Sequence, residues 1–230
     1  MLRARLCVFA IFASLRKKTV YNGRRMSKEE IANTISHGLG LILALVAVPI
    51  LVAEALRAGN VHFTVGVSVF GGTMVLLYLA STLYHSLTHE ATKALFRLFD
   101  HTAIFLLIAG TYTPFSLGVL RGPWGWSLLA AIWLLAIVGI TLKIRKSTRH
   151  SPIGIVLYVI MGWLCVVAVK PMLMLIPVPG LLLILAGGLA YTGGLAFFAW
   201  ERIRYNHFIW HLFVIAGTTC HFFAVLWYAA

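Results

Sequence analysis

Residues 38–56 read GLGLILALVAVPILVAEAL, a run whose single charged side chain is Glu54. A helix of that length rises close to the ~30 Å of a bilayer's hydrocarbon core, and nothing in the run alternates with the period of two that a strand requires. Extended outward, this first apolar stretch covers residues 33–56. Six more follow it between polar punctuation, at 62–87, 96–119, 125–142, 153–170, 178–199 and 206–228. The pattern predicts an all-α membrane protein, a bundle of seven transmembrane helices. Composition agrees, with 61% hydrophobic and 11% charged residues among 230, against about 25% charged in a typical soluble chain. A water-soluble globule could not coat itself with so few polar groups, which excludes a soluble enzyme, a disordered regulator and a disulfide-stapled secreted module. Cys7, Cys165 and Cys220 stand singly in apolar runs without CxxC spacing and read as small apolar residues.

The formal net charge is +13, and its distribution sets the expected orientation. With the N-terminus in the cytoplasm, that side receives Arg3, Arg5, Arg16, Lys17, Lys18, Arg24, Arg25 and Lys28 from the N-terminal arm. The loop between stretches two and three adds Lys93 and Arg97. The next cytoplasmic loop adds Lys143, Arg145, Lys146 and Arg149, and the last adds Arg202 and Arg204. Only Arg57, Arg121 and Lys170 fall opposite, a bias of sixteen against three. Positively charged loops stay inside, so the N-terminus is expected in the cytoplasm and the C-terminus outside. The excess charge is thereby a topology signal that needs no nucleic acid, and membrane lipids are the expected partners.

Residues 1–26 form a basic arm whose apolar segment, Leu6 to Leu15, is too short to span. It reads as an interfacial segment or as chain upstream of a start at Met26, with no small-residue cleavage site behind it. Residues 27–230 make up the transmembrane domain. Within it, Ala186, Ala190 and Gly194 suggest a close-packing face on the sixth helix. Pro114 should kink the third.

Ionisable groups inside a membrane are costly, so each is a candidate for function. Of nine histidines, His62, His89 and His150 fall at helix ends or in loops. The others follow from topology. His85 lies near the cytoplasmic end of the second helix, Asp100 and His101 near the start of the third, His207 and His211 at the start of the seventh, and His37 at the start of the first. Distant parts of the chain thus deliver imidazole or carboxylate groups to one leaflet. His207 and His211 are four residues apart and share a helix face, as do Ser81 and His85. Three neutral imidazoles with one open position make a catalytic zinc arrangement, and Asp100, the only aspartate, is placed to act as base or to orient a ligand. A histidine at a helix end is also an ordinary interfacial residue, and HxxxH is a short pattern. His101 points about 100° from Asp100 and reads as packing. His221 lies about 15 Å along the helix from His211, too far to share an ion, and reads as a hydrogen-bonded core histidine. Glu54 and Arg57 read as an outer-interface ion pair.

Five segments, Asn33-Thr-Ile-Ser-His37-Gly, Ser81-Thr-Leu-Tyr-His85, Phe99-Asp100-His101, Ala109-Gly-Thr-Tyr-Thr-Pro114-Phe and His207-Phe-Ile-Trp-His211-Leu-Phe, together resemble the bacterial hemolysin III family. That family is related to the progestin and adipoQ receptors, which include the adiponectin receptors. The resemblance runs in order from about residue 26 to 230. It implies a seven-helix bundle with Zn2+ in the cytoplasmic leaflet, ligands at His85, His207 and His211, and an aspartate on the metal's water at Asp100. The motif serine falls on Ser81. A wider resemblance to alkaline ceramidases implies hydrolysis of a lipid amide.

The leading expectation is a zinc-dependent hydrolase of a lipid amide or ester, acting in a bacterial plasma membrane. Zn2+ sits on His85, His207 and His211, with Asp100 and Ser81 in catalytic roles. Two other readings stand beside it. One is a non-catalytic sensor or regulator in which the metal clamps helices. The other is the cytolytic pore that the family name suggests, although a pore should show polar residues through its full depth. Oligomeric state is left open.

Overall fold

The structure, a computed structural model, describes residues 26–145, 152–200 and 202–230. The expectations for the basic arm concern residues outside that set, apart from Met26. The helices are α1 (Lys28–Arg57), α2 (Val61–Ser86), α3 (Glu90–Leu117), α4 (Pro123–Ile144), α5 (Ile153–Gly162), α6 (Val169–Leu175), α7 (Val178–Ala199) and α8 (Asn206–Tyr228). Among the described residues seven segments are long and apolar enough to cross a membrane, the fifth being Ile153–Leu175, and there is no strand.

Local chemistry sets the helix ends. Ser27 Oγ accepts from the Glu30 amide at 3.1 Å, and Asn60 Oδ1 accepts from Phe63 N–H at 3.1 Å. Each thereby satisfies one of the donors a helix start leaves open. Gly59, at φ +67°, turns the chain between α1 and α2 in a conformation that a side chain would resist. The fifth span is not one helix. Pro171 has no amide proton and its ring crowds the carbonyl four residues earlier, so the chain tightens to a 3-10 turn over Leu164–Ala168 before α6. Backbone groups freed at such a break have no water to turn to in lipid. Tyr112 of α3 supplies the partner: its hydroxyl donates toward the carbonyls of Met161 (2.8 Å) and Gly162 (3.0 Å) and accepts from Cys165 N–H (3.0 Å).

Helix α2 lies between α1 and α3, α4 packs on α3, and α8 closes back on α1 with α7 at its side. Phe63, Val67, Phe70, Met74 and Leu77 carry the main core along α2. A smaller one (Phe105, Ala109, Ile132, Ala136, Met161) joins α3, α4 and α5. Large apolar side chains also face outward. Ile35, Ile42 and Val46 of α1 are 65%, 61% and 60% exposed. That outward apolar surface, on spans of this length, makes this a multi-pass membrane protein whose outer solvent is lipid.

Three sequence expectations change. The close-packing face of α7 is Gly180, Gly187 and Gly194, at a spacing of seven, and Ala186 is exposed. A Cβ at Gly187 would stand 2.6 Å from His221 Nε2, and one at Gly194 would stand 2.5 Å from Phe213 Cβ, so the glycines set how near α8 can come. Lys143 is not a loop residue: α4 continues to Ile144 and buries it. Lys93 and Arg97 likewise belong to the first turns of α3.

Candidate metal centre

Antiparallel connection brings the end of α2 and the starts of α1, α3 and α8 to one end of the bundle. His207 and His211, one turn apart on α8, have ring centroids 4.7 Å apart. His85 of α2 stands 4.9 Å from His207 and 5.0 Å from His211 by the same measure. One nitrogen from each ring lies within 4.8 Å of the others, close enough to hold a metal ion. Tetrahedral zinc–imidazole bonds of about 2.0–2.1 Å require nitrogens roughly 3.4 Å apart, so a small contraction completes the cluster.

Hydrogen bonds on the outer nitrogens decide which inner ones carry lone pairs. His85 Nδ1 lies 2.5 Å from Glu30 Oε2, and a carboxylate only accepts, so Nδ1 carries the proton. His211 Nδ1 lies 3.1 Å from Ser36 Oγ. That hydroxyl spends its proton on the Asn33 carbonyl at 2.9 Å and so accepts from the ring. His85 Nε2 and His207 Nε2 are buried without a hydrogen-bond partner among the described residues. Buried, unpaired imidazole nitrogens turned toward one another are expensive unless something accepts their lone pairs, and a cation does. The donor set fits.

Asp100 of α3 is buried and lines the same space as His207 and His211. Its carboxylate is within electrostatic reach of His85 and Arg97 and neighbours Ser81. Ser81, one turn before His85, is fully buried, and its Oγ makes no hydrogen bond among the described residues. His37 joins the cluster in a way its spacing did not suggest. Its ring stacks on His211 at 3.5 Å and 9°, edge-on to Tyr78 at 5.1 Å. Gly40 makes room for that tyrosine, since a Cβ there would meet its ring at 2.6 Å. His101 is half-buried, and its carbonyl accepts from Tyr158 at 2.7 Å. His221 donates to the Ile184 carbonyl at 3.2 Å, in agreement with a core histidine. Glu54 and Arg57 pair at 2.5 Å on the surface.

The residues missed from sequence are Glu30, Asn33 and Ser36. They lie on α1 within two turns ahead of His37, and a search for polar residues at i, i+3 and i+6 before that histidine would have found them.

From this cluster a cavity of about 600 Å³ runs along the bundle interior to His221. Ile104, Leu107, Phe115, Val166, Met172 and Ile184 are among its lining, so an apolar tube ends on the polar cluster. Largely apolar cavities that meet a few convergent polar groups are typical small-molecule sites.

Comparison with known proteins places the chain. The family model described as Haemolysin-III related matches residues 26–222. Over 201 residues the chain is 51% identical to Hemolysin-3 of Bacillus cereus, covering 87% of this chain and 92% of that one. It is 45% identical to the Hemolysin-3 homolog of Bacillus subtilis (strain 168), covering 87% and 94%. A more distant similarity, 26% over 210 residues covering 86% and 83%, links it to the human Monocyte to macrophage differentiation factor. The chain belongs to the haemolysin III family.

Proposed function

We propose that this protein is a zinc-dependent hydrolase of a lipid amide or ester, working in the cytoplasmic leaflet of a bacterial plasma membrane. The observation that carries the reading is the meeting of three imidazoles, two buried and one half-buried, with Asp100 beside a largely apolar cavity. His85, His207 and His211 would hold the ion, and three neutral imidazole nitrogens are a ligand set that zinc accepts. Zinc bound there supplies a Lewis acid for a carbonyl oxygen and a water acidified to a pKa near 7. Asp100 takes the proton of the attacking water and returns it to the leaving amine or alcohol. Ser81 donates a hydrogen bond toward the oxygen on which negative charge grows. The tube holds the acyl chain and keeps bulk water from the reacting carbon. The positive bias of the loops supports the cytoplasmic placement.

The test has two arms. Protein purified in detergent carries close to one zinc per chain, and His85→Ala, His207→Ala and His211→Ala each lose it. Asp100→Asn keeps the metal and abolishes the lipid changes that wild-type protein causes in cells, read by lipid mass spectrometry. Full metal occupancy in all three histidine variants would remove the site. Unchanged lipids with the metal present would leave a structural clamp in place of an enzyme.

A further inference from the structure

We propose that the far part of the cavity is a subsite for a hydroxyl group on the lipid's chain, so that the substrate is an acyl lipid hydroxylated about a dozen bonds from its reacting carbonyl. This rests on the hydrolase reading and names its substrate class. His221 lines the cavity ten residues beyond His211 on α8, about 15 Å along the helix axis. Its Nε2 lies 3.2 Å from the Ile184 carbonyl, which only accepts, so Nε2 carries the proton and Nδ1 keeps a lone pair. Nδ1 is buried and has no hydrogen-bond partner among the described residues. A packing role thus accounts for one nitrogen of the ring and leaves the other. Helix α7 gives up a side chain to admit that ring, since a Cβ at Gly187 would stand 2.6 Å from Nε2.

The polar side chains around it have already spent their hydrogens. Thr218 Oγ1 donates to the Val214 carbonyl at 2.8 Å, so the Tyr191 hydroxyl, 2.9 Å away, donates to Thr218. Tyr191 lines the cavity, with its ring centroid 5.5 Å from that of His221. Thr111 of α3 donates to the Leu107 carbonyl and Thr192 of α7 to that of Gly188, both at 2.8 Å. Tyr112 donates toward the Met161 and Gly162 carbonyls, and Trp163 Nε1 donates to Thr192 at 3.1 Å. All four line the same cavity. Thr111 stands eleven residues past Asp100, about 16 Å along α3, a distance from the metal centre that matches His221 on α8. At this depth these side chains present lone pairs in apolar surroundings, and none of them offers a free polar hydrogen.

A wall of acceptors selects a ligand that donates. A plain hydrocarbon chain leaves Nδ1 unpaired, which is costly where no water can serve it. A keto oxygen brings one more lone pair and is refused. An amide brings a carbonyl that this wall has no hydrogen to meet, and an ammonium brings a charge into apolar surroundings. A hydroxyl supplies the one donor that Nδ1 lacks. Each bond of an extended chain adds about 1.2 Å, so the 15 Å between the levels of His211 and His221 corresponds to about a dozen bonds. Sites that pair a buried polar group with a substrate hydroxyl discriminate against the analogue without it, because the protein's group is then left unpaired.

The experiment uses the full-length chain with its metal, purified in a neutral maltoside detergent. Native mass spectrometry measures binding of stearate and of its 12-hydroxy and 12-oxo derivatives, whose substituent lies about a dozen bonds from the carboxylate. The hydroxy acid should bind about tenfold tighter than stearate, and the oxo acid no tighter than stearate. His221→Gln keeps a side-chain amide to donate to Ile184 and lacks the Nδ1 lone pair, so it should lose the hydroxyl margin while stearate affinity and metal content stay as in wild type. Should that variant fail to fold, the comparison of hydroxy, oxo and plain acids on wild-type protein decides by itself. Equal binding of hydroxy acid and stearate overturns the subsite, and would mean that a bound water serves Nδ1. A gain shared by the oxo acid, or a margin undiminished in His221→Gln, overturns the assignment of the donor to His221. Wild-type protein purified without metal is a separate failure, that of the hydrolase reading, and the hydroxyl margin is still read on it.

Discussion

Glu30 and His85 stand 55 residues apart in the chain, and their Oε2 and Nδ1 atoms are 2.5 Å apart in the fold. The other oxygen of the same carboxylate accepts from Lys93 Nζ at 2.8 Å, and that ammonium lies 5.0 Å over the Tyr84 ring. One side chain at the start of α1 thus fixes the tautomer of His85, the candidate ligand on α2, and ties both to α3. Outer hydrogen bonds of this kind orient metal-bound histidines.

Glu30→Gln is expected to weaken metal binding about 10- to 100-fold with the helical fold retained. Competition with a chelator of known affinity measures the loss, and circular dichroism checks the fold. Unchanged affinity would mean that packing alone holds the His85 ring.

Acid should strip the metal. Each ligand nitrogen must be unprotonated to bind, so occupancy falls as pH drops and returns as it rises. Because three rings compete with protons for one ion, the loss should be steeper than for a single group. Metal content after dialysis at stepped pH gives the curve, and a profile that stays flat down to the pH at which the fold is lost would argue against an all-histidine set.

Gly194→Leu should destabilise the bundle by about 1–3 kcal/mol, because even a Cβ there runs into Phe213 on the facing helix. Gly188→Ala, six residues earlier on the same helix with nothing near its Cβ, is the control and should change little. Thermal unfolding in detergent separates the two. Equal melting temperatures would mean that α7 and α8 slide apart at no cost.

Tyr112→Phe should cost about 1–3 kcal/mol, since it leaves the Met161 and Gly162 carbonyls and the Cys165 amide without the partner that the helix break requires. Hydrogen exchange at residues 161–168 should rise before the rest of the bundle loosens.

The spans were legible because a membrane imposes length and apolarity residue by residue, and both are properties of a string. Lys143 shows where that reading ends. Its charge placed it in a loop, and only the room left by Gly154 shows that a helix could carry it inward. Similarly, the small-residue pattern on the sixth span pointed to Ala186, yet the face that meets α8 is fixed by the helix's rotation, which composition does not encode.

The sequence by itself determined that lipid is the solvent, that seven segments cross it, and that His85, Asp100, His207 and His211 reach one end, because alternation of direction assigns depth to every polar residue. Only the tertiary structure decided that three of those rings converge, that His37 stacks on His211, and that Glu30 and Ser36 hold the outer nitrogens. Depth follows from counting residues along a helix, whereas convergence depends on how each helix turns about its own axis, and that is settled by packing between chain segments far apart in sequence.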